Sequence, residues 1–350
     1  MAIWLFLVAL NLSGRLVLGA PQVPCYFIFG DSLADDGNNN NLLTLAKSNY
    51  PPYGIDFSDG ATGRFTNGRT IVDIIAQLLG FDQYIPPFAT ARGNDTLQGV
   101  NYASGAAGIR DESGQQQGDR ISLNRQLGNH LITVSRVREI LGGNESAYLN
   151  KCIYTVGMGS NDYLNNYFMP NIYPTSSMYT PEQYADVLIK QYKEQLKTLY
   201  GYGARKVAVI GLGLLGCTPA EISRFGTNGS ACVDNINNAA VLFNNQLQPL
   251  VNEFNSNFSD AKFTYINTFA ISTTGPGTAG LISNATCCKV DKELGTCIPY
   301  ETPCSNRTIY VFYDGFHPTE TVNLGFAARA YNALLPSDAS PYDIRTLAMI

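Results

Sequence analysis

The chain has little charge for its length. Asp, Glu, Lys and Arg make up 15% of its 350 residues, well below the roughly 25% typical of soluble domains. The net charge is −5 and like charges do not cluster, which argues against a surface that neutralises nucleic-acid phosphates. With 45% hydrophobic residues and 33 glycines, the composition indicates a folded, loop-rich protein and excludes intrinsic disorder, a coiled coil and collagen.

Histidine is also scarce, since His130 and His317 are the two in the chain. Zinc sites use Cys and His ligands at regular spacings, and such spacings are absent because Cys287 and Cys288 are adjacent. We therefore expect no metal. An imidazole that acts as a general base near neutral pH must be one of these two residues.

Eight cysteines are an even number, which an oxidising compartment would allow to pair. We predict a Cys217–Cys232 disulfide and further pairs within the later cluster. Cys25 and Cys152 lie in strand-like runs, so we expect them to be buried thiols. The later cluster comprises Cys287, Cys288, Cys297 and Cys304.

Residues 1–20 are typical of a secretory signal peptide, with cleavage near Gly19 or Ala20. No Lys or Arg precedes the apolar run, and the alternative is a membrane anchor, which needs about 20 unbroken apolar residues. Six glycosylation sequons are consistent with export. We expect secretion to the extracellular space or cell wall, with vacuolar or other luminal sorting as the alternative, and no transmembrane segment in the mature chain. The sequons are Asn94, Asn144, Asn228, Asn257, Asn284 and Asn306.

Short apolar runs alternate with longer helical patterns along residues 21–350. Such alternation predicts one domain with a parallel sheet and helices on both faces. Two stretches, 38–68 and 273–310, are expected to be long surface loops, where functional residues tend to lie. The predicted strands are 23–29, 100–103, 152–156, 206–210 and 262–266, and the predicted helices are 69–79, 121–141, 181–200, 233–254 and 319–335.

Two short motifs could supply a nucleophile and its base. Ser32 follows the first predicted strand in the turn Gly-Asp-Ser. Asp314 precedes His317 by three residues, a spacing that lets an Asp on a turn reach the imidazole Nδ1 and fix its tautomer. His130 falls in a helical pattern, where a solvated or half-buried position is the ordinary interpretation. The Gly-x-Ser-x-Gly elbow of α/β-hydrolases does not occur in this sequence.

Two further turns offer groups that could stabilise an oxyanion, which backbone N–H groups and Asn side chains commonly do. The first contains Gly105 and Gly108 and follows the second predicted strand. The second contains Asn161 and follows the third strand. Either turn would be unremarkable alone, because Gly and Asn mostly serve turn geometry.

Taken together and in order, these blocks resemble the GDSL-type SGNH hydrolase superfamily, and most closely the plant GDSL esterase/lipases. The similar segments span almost the whole mature chain. They are FIFGDSLADDGNNN (27–40), GVNYASGAAGI (99–109), VGMGSNDY (156–163), GLGLLGCTP (211–219) and FYDGFHPTE (312–320).

The resemblance implies a three-layer α/β/α fold with a flavodoxin-like parallel sheet, and a triad of Ser32, His317 and Asp314. It also implies an oxyanion hole formed by the Ser32 N–H, the N–H of Gly105 or Gly108, and the Asn161 side chain. Two positions depart from the family pattern, since Ala106 stands where Gly is frequent and Tyr313 where Trp is frequent. A backbone donor survives an Ala substitution, so no catalytic position is lost.

Residues 211–216 satisfy the dinucleotide-binding fingerprint, but Pro219 lies where the fingerprint's helix should be running. We therefore interpret this motif as a turn and expect no cofactor. The resulting hypothesis is a secreted serine hydrolase that cleaves small-molecule or lipid esters through an acyl-enzyme. An acyltransferase that uses the same intermediate, or an inactive wall glycoprotein that binds acylated ligands, is the alternative. The oligomeric state stays open.

Overall fold

The structure is a computed structural model that describes residues 20–274 and 280–350. The predicted leader, apart from Ala20, lies outside the described residues. The structure therefore does not distinguish a signal peptide from a membrane anchor there. Within the described ranges, no helix has the length and apolar character needed to cross a membrane.

Strands and helices alternate along the chain, with seven strands and twelve α-helices in the described ranges. They are β1 (Tyr26–Gly30), α1 (Ile71–Leu78), α2 (Asp95–Gln98), α3 (Leu123–Ile140), α4 (Glu145–Leu149), β2 (Ile153–Gly157), α5 (Ser160–Asp162), α6 (Thr175–Met178), α7 (Pro181–Gly201), β3 (Lys206–Ile210), α8 (Pro219–Phe225), α9 (Asp234–Asn257), β4 (Lys262–Ile266), α10 (Thr268–Thr273), β5 (Ile282–Thr286), β6 (Tyr310–Phe312), α11 (Glu320–Tyr331), β7 (Ala339–Ser340) and α12 (Ile344–Met349).

The central sheet has the order β1-β2-β3-β4-β7. The first four strands are parallel, and β7 is antiparallel to β4. The carboxyl ends of the parallel strands therefore meet at one edge of the sheet, where ligands bind in open α/β folds.

Residues 100–104 run beside β1 on its free side. The Ile28 N–H donates to the Val100 carbonyl at 3.1 Å, and the Tyr102 N–H donates to the Ile28 carbonyl at 2.8 Å. Counting this segment, the parallel order becomes second-first-third-fourth-fifth, which is the flavodoxin-like order. The predicted strand at 100–103 is an extended segment rather than a regular strand, because it pairs only through isolated bridges, from Asn101 to Ile28 on one side and to Pro87 on the other.

Both faces of the sheet are covered by helices, which gives three layers. Alternate strand residues point to opposite faces: Phe27 and Phe29 pack with α3, α7 and α9, whereas Tyr26 and Ile28 pack with α1, α11 and α12. The predicted three-layer α/β/α class is confirmed. Four of the five predicted strands and all five predicted helices are present with shifts of a few residues at their ends.

Hydrogen-bonded caps fix where two of these helices begin. Thr70 and Asp73 form a capping box at the start of α1, and Thr180 and Gln183 form another at the start of α7. Each box satisfies backbone N–H groups that the first helical turn leaves without partners.

The two predicted long loops differ in how much regular secondary structure they contain. Residues 38–68 contain no regular helix or strand. The second stretch, predicted at 273–310, is not loop throughout, because β5 pairs with β6 in a small parallel sheet. The two residue runs are far apart in sequence, so a reading of local patterns does not detect their pairing.

The eight cysteines, all of them in the described ranges, form four disulfides. Cys217–Cys232 is present as predicted, and Cys287–Cys304 and Cys288–Cys297 lie within the later cluster. The prediction that Cys25 and Cys152 are free thiols is wrong, because they form the fourth pair. They directly precede β1 and β2, and the pairing of these strands brings the two side chains together.

Candidate active site

Ser32 lies in a tight turn just beyond the carboxyl end of β1. The Ala34 and Asp35 N–H groups donate to the Asp31 carbonyl, at 3.1 and 3.0 Å, and the Leu33 N–H donates to the Asp31 carboxylate at 3.0 Å. Burial raises the pKa of Asp31 to about 6. The turn leaves Ser32 half-buried at the sheet edge.

His317 and Asp314 lie opposite this turn, on the segment that follows β6. The imidazole Nε2 is 2.7 Å from the Ser32 Oγ, and Nδ1 is 2.8 Å from the Asp314 Oδ2. With Nδ1–H donating to the carboxylate, Nε2 is left as the acceptor of the serine hydroxyl proton. The three residues that the sequence singled out are therefore in one hydrogen-bonded chain.

Asp314 is fully buried and is held by several donors. The Phe316 and His317 N–H groups each donate to its Oδ1 at 2.8 Å. The Tyr53 hydroxyl donates to its Oδ2 at 2.5 Å. Tyr53 belongs to the loop 38–68 and was not predicted from the sequence, because nothing local to a Tyr marks it as the partner of an Asp 261 residues away.

The imidazole of His317 also packs against an aromatic ring. The ring centroids of Phe65 and His317 are 4.9 Å apart, and Phe65 is buried. Phe65 too comes from the loop 38–68. Its packing restricts the orientation of the imidazole and was likewise missed in the sequence.

In the segment 99–109, neither Gly105 nor Gly108 lies where the resemblance implied an oxyanion donor. The Gly105 N–H donates to the Asp35 carboxylate at 2.8 Å. Gly108 packs so closely on Ser113 and Asp162 that an added Cβ would lie 2.6 Å from Ser113 Cβ. The residue of this block that lines the pocket around Ser32 is Ala106.

Ala106 has a φ of 63°, a left-handed conformation in which Gly is favoured. Among the described residues, its N–H has no hydrogen-bond partner. Gly would adopt this conformation without strain, and the backbone donor is present with Ala as well.

Asn161 lines the same pocket as Ser32, Ala106 and His317. Its Nδ2 donates to the Ala107 carbonyl at 2.9 Å, and its Oδ1 accepts from the Asn165 Nδ2 at 2.6 Å. The second N–H of the amide is available to a ligand, because an amide nitrogen carries two donors.

Two buried carboxylates hold these turns together. Asp35 accepts N–H groups from Gly37 and Asn38 in its own turn and from Gly105 in the second block. Asp162 accepts from the Ile109 and Arg110 N–H groups and from the Ser113 hydroxyl. Burial raises the pKa of each carboxyl to about 6. Hydrogen bonds from these two carboxylates therefore connect the segments 27–40, 99–109 and 156–163 to one another.

His130 is not solvated or half-buried, as the helical pattern suggested, but fully buried. It lies among Phe27, Phe29, Tyr102 and Tyr154, and its Nδ1 is 3.0 Å from the Tyr102 hydroxyl. It takes no part in the pocket around Ser32. The face of α3 that carries His130 packs against the sheet. The helical spacing of apolar residues in the sequence did not reveal that His130 lies on this buried face.

The dinucleotide fingerprint at 211–216 does not open a helix. The chain continues as a turn, followed by a short 3₁₀ segment at Leu215–Cys217. A seven-residue helix, α8, then begins at Pro219, although the sequence predicted no helix between the ones at 181–200 and 233–254. No cluster of three or more potential metal-ligating side chains occurs in the ranges 20–274 and 280–350.

All six predicted sequon asparagines are exposed. They lie on several surfaces of the molecule, and Asn284 is in β5.

The chain matches the family described as GDSL-like Lipase/Acylhydrolase over residues 26–329. The chain belongs to this family. Among similar proteins of Arabidopsis thaliana, GDSL esterase/lipase At5g45670 is 54% identical over 94% of this chain and 93% of its own length. GDSL esterase/lipase At1g29660 is 52% identical over 100% of this chain and 97% of its own, and GDSL esterase/lipase At4g18970 is 52% identical over 98% and 97%.

Membership of the GDSL family makes this chain a carboxylic ester hydrolase. The resemblance drawn from the five sequence blocks is confirmed, and so is the SGNH fold class. The hydrolase carries its nucleophile candidate in the turn after β1 rather than in a strand-to-helix elbow.

Proposed function

We propose that this protein is a secreted serine esterase in which Ser32 is the nucleophile, His317 the general base and Asp314 the residue that orients the base. The observation that carries the proposal is the unbroken chain from Ser32 Oγ to His317 Nε2, at 2.7 Å, and from Nδ1 to Asp314, at 2.8 Å. Hydrogen-bond reach between nucleophile and base, with the base oriented by a third group, is the signature of nucleophilic catalysis.

The reaction proceeds in two halves. His317 removes the proton of the Ser32 hydroxyl as Oγ attacks the ester carbonyl, and then gives this proton to the leaving alcohol. Water attacks the acyl-enzyme with His317 again as base, which releases the acid and restores Ser32.

The oxyanion of each tetrahedral intermediate is stabilised by three donors. They are the Ser32 N–H, the Ala106 N–H and the free N–H of the Asn161 side chain. Ala106 replaces Gly105 and Gly108 in this role, because the Gly105 N–H is bonded to Asp35 and neither glycine lines the pocket. Donors that are fixed before the reaction need no reorganisation as charge develops.

The test is labelling of the mature chain, made in a secretory host, with a fluorophosphonate. We expect the modified peptide to contain Ser32, and labelling to be lost in Ser32→Ala and His317→Ala. Ser135→Ala, on the exposed side of α3, is the matched control and should label normally. An unlabelled Ser32 in folded protein would contradict the catalytic role and favour an inactive acyl-ligand-binding protein.

Hydrolysis and acyl transfer share the same acyl-enzyme and are separated by their products. Ester substrate incubated with added glycerol or sugar should yield mainly free acid if water resolves the intermediate. New esters as the main product would assign the protein as an acyltransferase instead.

We also propose that residues 1–20 are removed during export and that residues 21–350 form a single domain in the extracellular space or cell wall. The exposed sequons and the four disulfides support an oxidising, glycosylating route. N-terminal sequencing of secreted protein should begin near residue 20 or 21, and glycosidase treatment should lower its apparent mass. Retention of the leader would contradict this proposal.

A further inference from the structure

An apolar cavity of about 420 Å³ adjoins the pocket that contains Ser32. It lies at the carboxyl ends of β2 and β3, beneath α11. The pocket at Ser32 itself is small, about 80 Å³, so it holds little more than the reacting ester group. The two spaces share a boundary of six residues, Asp31, Leu33, Ser160, Leu215, Thr218 and Phe316.

The walls of the larger cavity are mainly aliphatic and aromatic. Leu212 and Leu214 line it from the turn after β3, and Val322 and Phe326 line it from α11. Among the described lining residues Asp31 is the one charged side chain, and it lies at the boundary with the Ser32 pocket. A volume of this size falls within the range of about 300 to 1,000 Å³ found for small-molecule sites.

We propose that this cavity binds the acyl chain of the ester substrate, a linear aliphatic chain of medium or greater length. This inference rests on the proposed function of Ser32 and His317. It assigns the cavity to the group that stays attached to Ser32 in the acyl-enzyme.

The positions of the other groups decide between the acyl chain and the alcohol. A tetrahedral intermediate at Ser32 has three further substituents: the oxyanion, the leaving oxygen and the acyl carbon. Asn161 and Ala106 line the small pocket on the oxyanion side, and His317, which protonates the leaving oxygen, lines that pocket as well. None of the three lines the cavity. The acyl carbon is the one substituent left, and the path open to its chain runs from the Ser32 pocket past Leu33, Leu215 and Phe316 into the cavity.

Burial of each additional methylene group contributes about a fourfold gain in binding. If the transition state retains part of this gain, kcat/KM should rise with acyl length until the cavity is full. We expect at least a tenfold rise from the acetate to the octanoate ester.

Gly213 offers a way to fill the cavity without touching the small pocket. It lines the cavity, and a Cβ added there would have the Ser272 Oγ, at 3.8 Å, as its nearest neighbour. Gly213→Leu and Gly213→Phe would project into the space. Gly128→Leu is the matched control, because Gly128 is exposed on α3 and a Cβ there meets open space. Val322→Phe fills the cavity from the opposite wall and serves if the Gly213 variants fold poorly.

The experiment measures kcat/KM for p-nitrophenyl acetate, butyrate, octanoate and decanoate below their micellar concentrations. In Gly213→Phe or Val322→Phe we expect the octanoate-to-acetate ratio to fall at least tenfold, with acetate hydrolysis within about twofold of the unmodified enzyme. Gly128→Leu should leave both the octanoate-to-acetate ratio and the rate of acetate hydrolysis unchanged.

A second series with a constant acetyl group and ethyl, octyl or decyl alcohols identifies which chain occupies the cavity. A length dependence that appears in this series, and is lost in Gly213→Phe, would overturn the acyl assignment in favour of the alcohol. Ser32-dependent acetate hydrolysis with no acyl-length dependence would overturn the cavity proposal alone. Absence of hydrolysis of every ester, with Ser32 unlabelled, would overturn the proposed function together with it.

Discussion

The Tyr53 hydroxyl donates a hydrogen bond of 2.5 Å to the Asp314 carboxylate and accepts one of 3.1 Å from the Cys297 N–H. Burial, and next the nearby charge of Asp314, raise the pKa of Tyr53 well above its usual value. The phenol therefore stays protonated and remains a donor. Tyr53 thus connects the Asp314 carboxylate to the segment closed by the Cys288–Cys297 disulfide.

We expect Tyr53→Phe to lower kcat about tenfold with little change in KM. Loss of one charge-assisted hydrogen bond loosens the orientation of Asp314, and hence of His317, but removes no contact with substrate. The variant should also lose about 1 to 3 kcal/mol of stability, because the buried Cys297 N–H loses its acceptor. Steady-state kinetics and urea unfolding measure the two effects.

Tyr50→Phe is the matched control for this variant. Tyr50 belongs to the same loop, 38–68, and its hydroxyl donates to the Cys297 carbonyl at 3.0 Å but forms no hydrogen bond with Asp314. It should lower stability without lowering kcat. An equal fall of kcat in both variants would show that Tyr53 acts through loop stability alone.

Asn161→Ala should retain the fold and lower kcat by about 10² to 10³, the usual effect of removing one oxyanion donor. Asn165→Ala should have a smaller effect on kcat, because Asn165 holds the Asn161 amide at 2.6 Å but is not one of the three proposed oxyanion donors. Circular dichroism and thermal unfolding check that both variants are folded. Full activity of Asn161→Ala would remove this residue from the oxyanion site.

Ala106→Gly should keep kcat within about twofold, since the backbone N–H is unchanged. Relief of the left-handed conformation at Ala106, with a φ of 63°, is partly offset by the larger entropy of Gly in the unfolded chain. We expect a net change between zero and a gain of about 1 kcal/mol in stability.

Gly105→Ala provides the contrast to that variant. A Cβ at Gly105 would lie 2.8 Å from the Asn39 Nδ2 and 2.9 Å from the Phe65 ring, and Phe65 packs on His317. Activity and stability should therefore both fall. If Ala106→Gly loses activity and Gly105→Ala does not, the assignment of the backbone donor is wrong.

Acid should destabilise the protein through His130. Burial lowers the pKa of His130 from 6.5 to about 3, so the folded protein keeps it neutral where the unfolded chain binds a proton. The stability contribution is therefore complete above pH 6.5 and is lost as the pH falls toward 3. Between pH 7.5 and 4.5 this amounts to about 2 to 3 kcal/mol.

Comparison with His130→Gln isolates this effect. Urea unfolding of both proteins at pH 7.5 and 4.5 should show that the variant loses about 2 to 3 kcal/mol less between the two pH values. The packing change caused by the substitution is independent of pH and cancels in this difference. An equal loss in both proteins would show that His130 does not titrate with an altered pKa.

Much of the fold followed from the order of residues. Strand runs such as Lys206–Ile210 have a continuous apolar pattern because both of their faces are buried, and helices such as Pro181–Gly201 have a periodic pattern and a capped start. Both patterns record local burial, so they are visible in a single sequence. Ser32, Asp314, His317 and Asn161 were found for a related reason, since each lies in a short motif directly after a strand.

Contacts between distant segments were decided only by the tertiary structure. Pairing of β1 with β2 joins Cys25 to Cys152, which two isolated strand patterns cannot indicate. Folding of the loop 38–68 over the site brings Tyr53 to Asp314 and Phe65 to His317. The backbone path, not residue type, brought the Gly105 N–H to Asp35 and placed Ala106 in the lining of the pocket. The physical reason is common to all three: a motif fixes local chemistry, whereas hydrogen bonds and packing between segments depend on how the whole sheet is assembled.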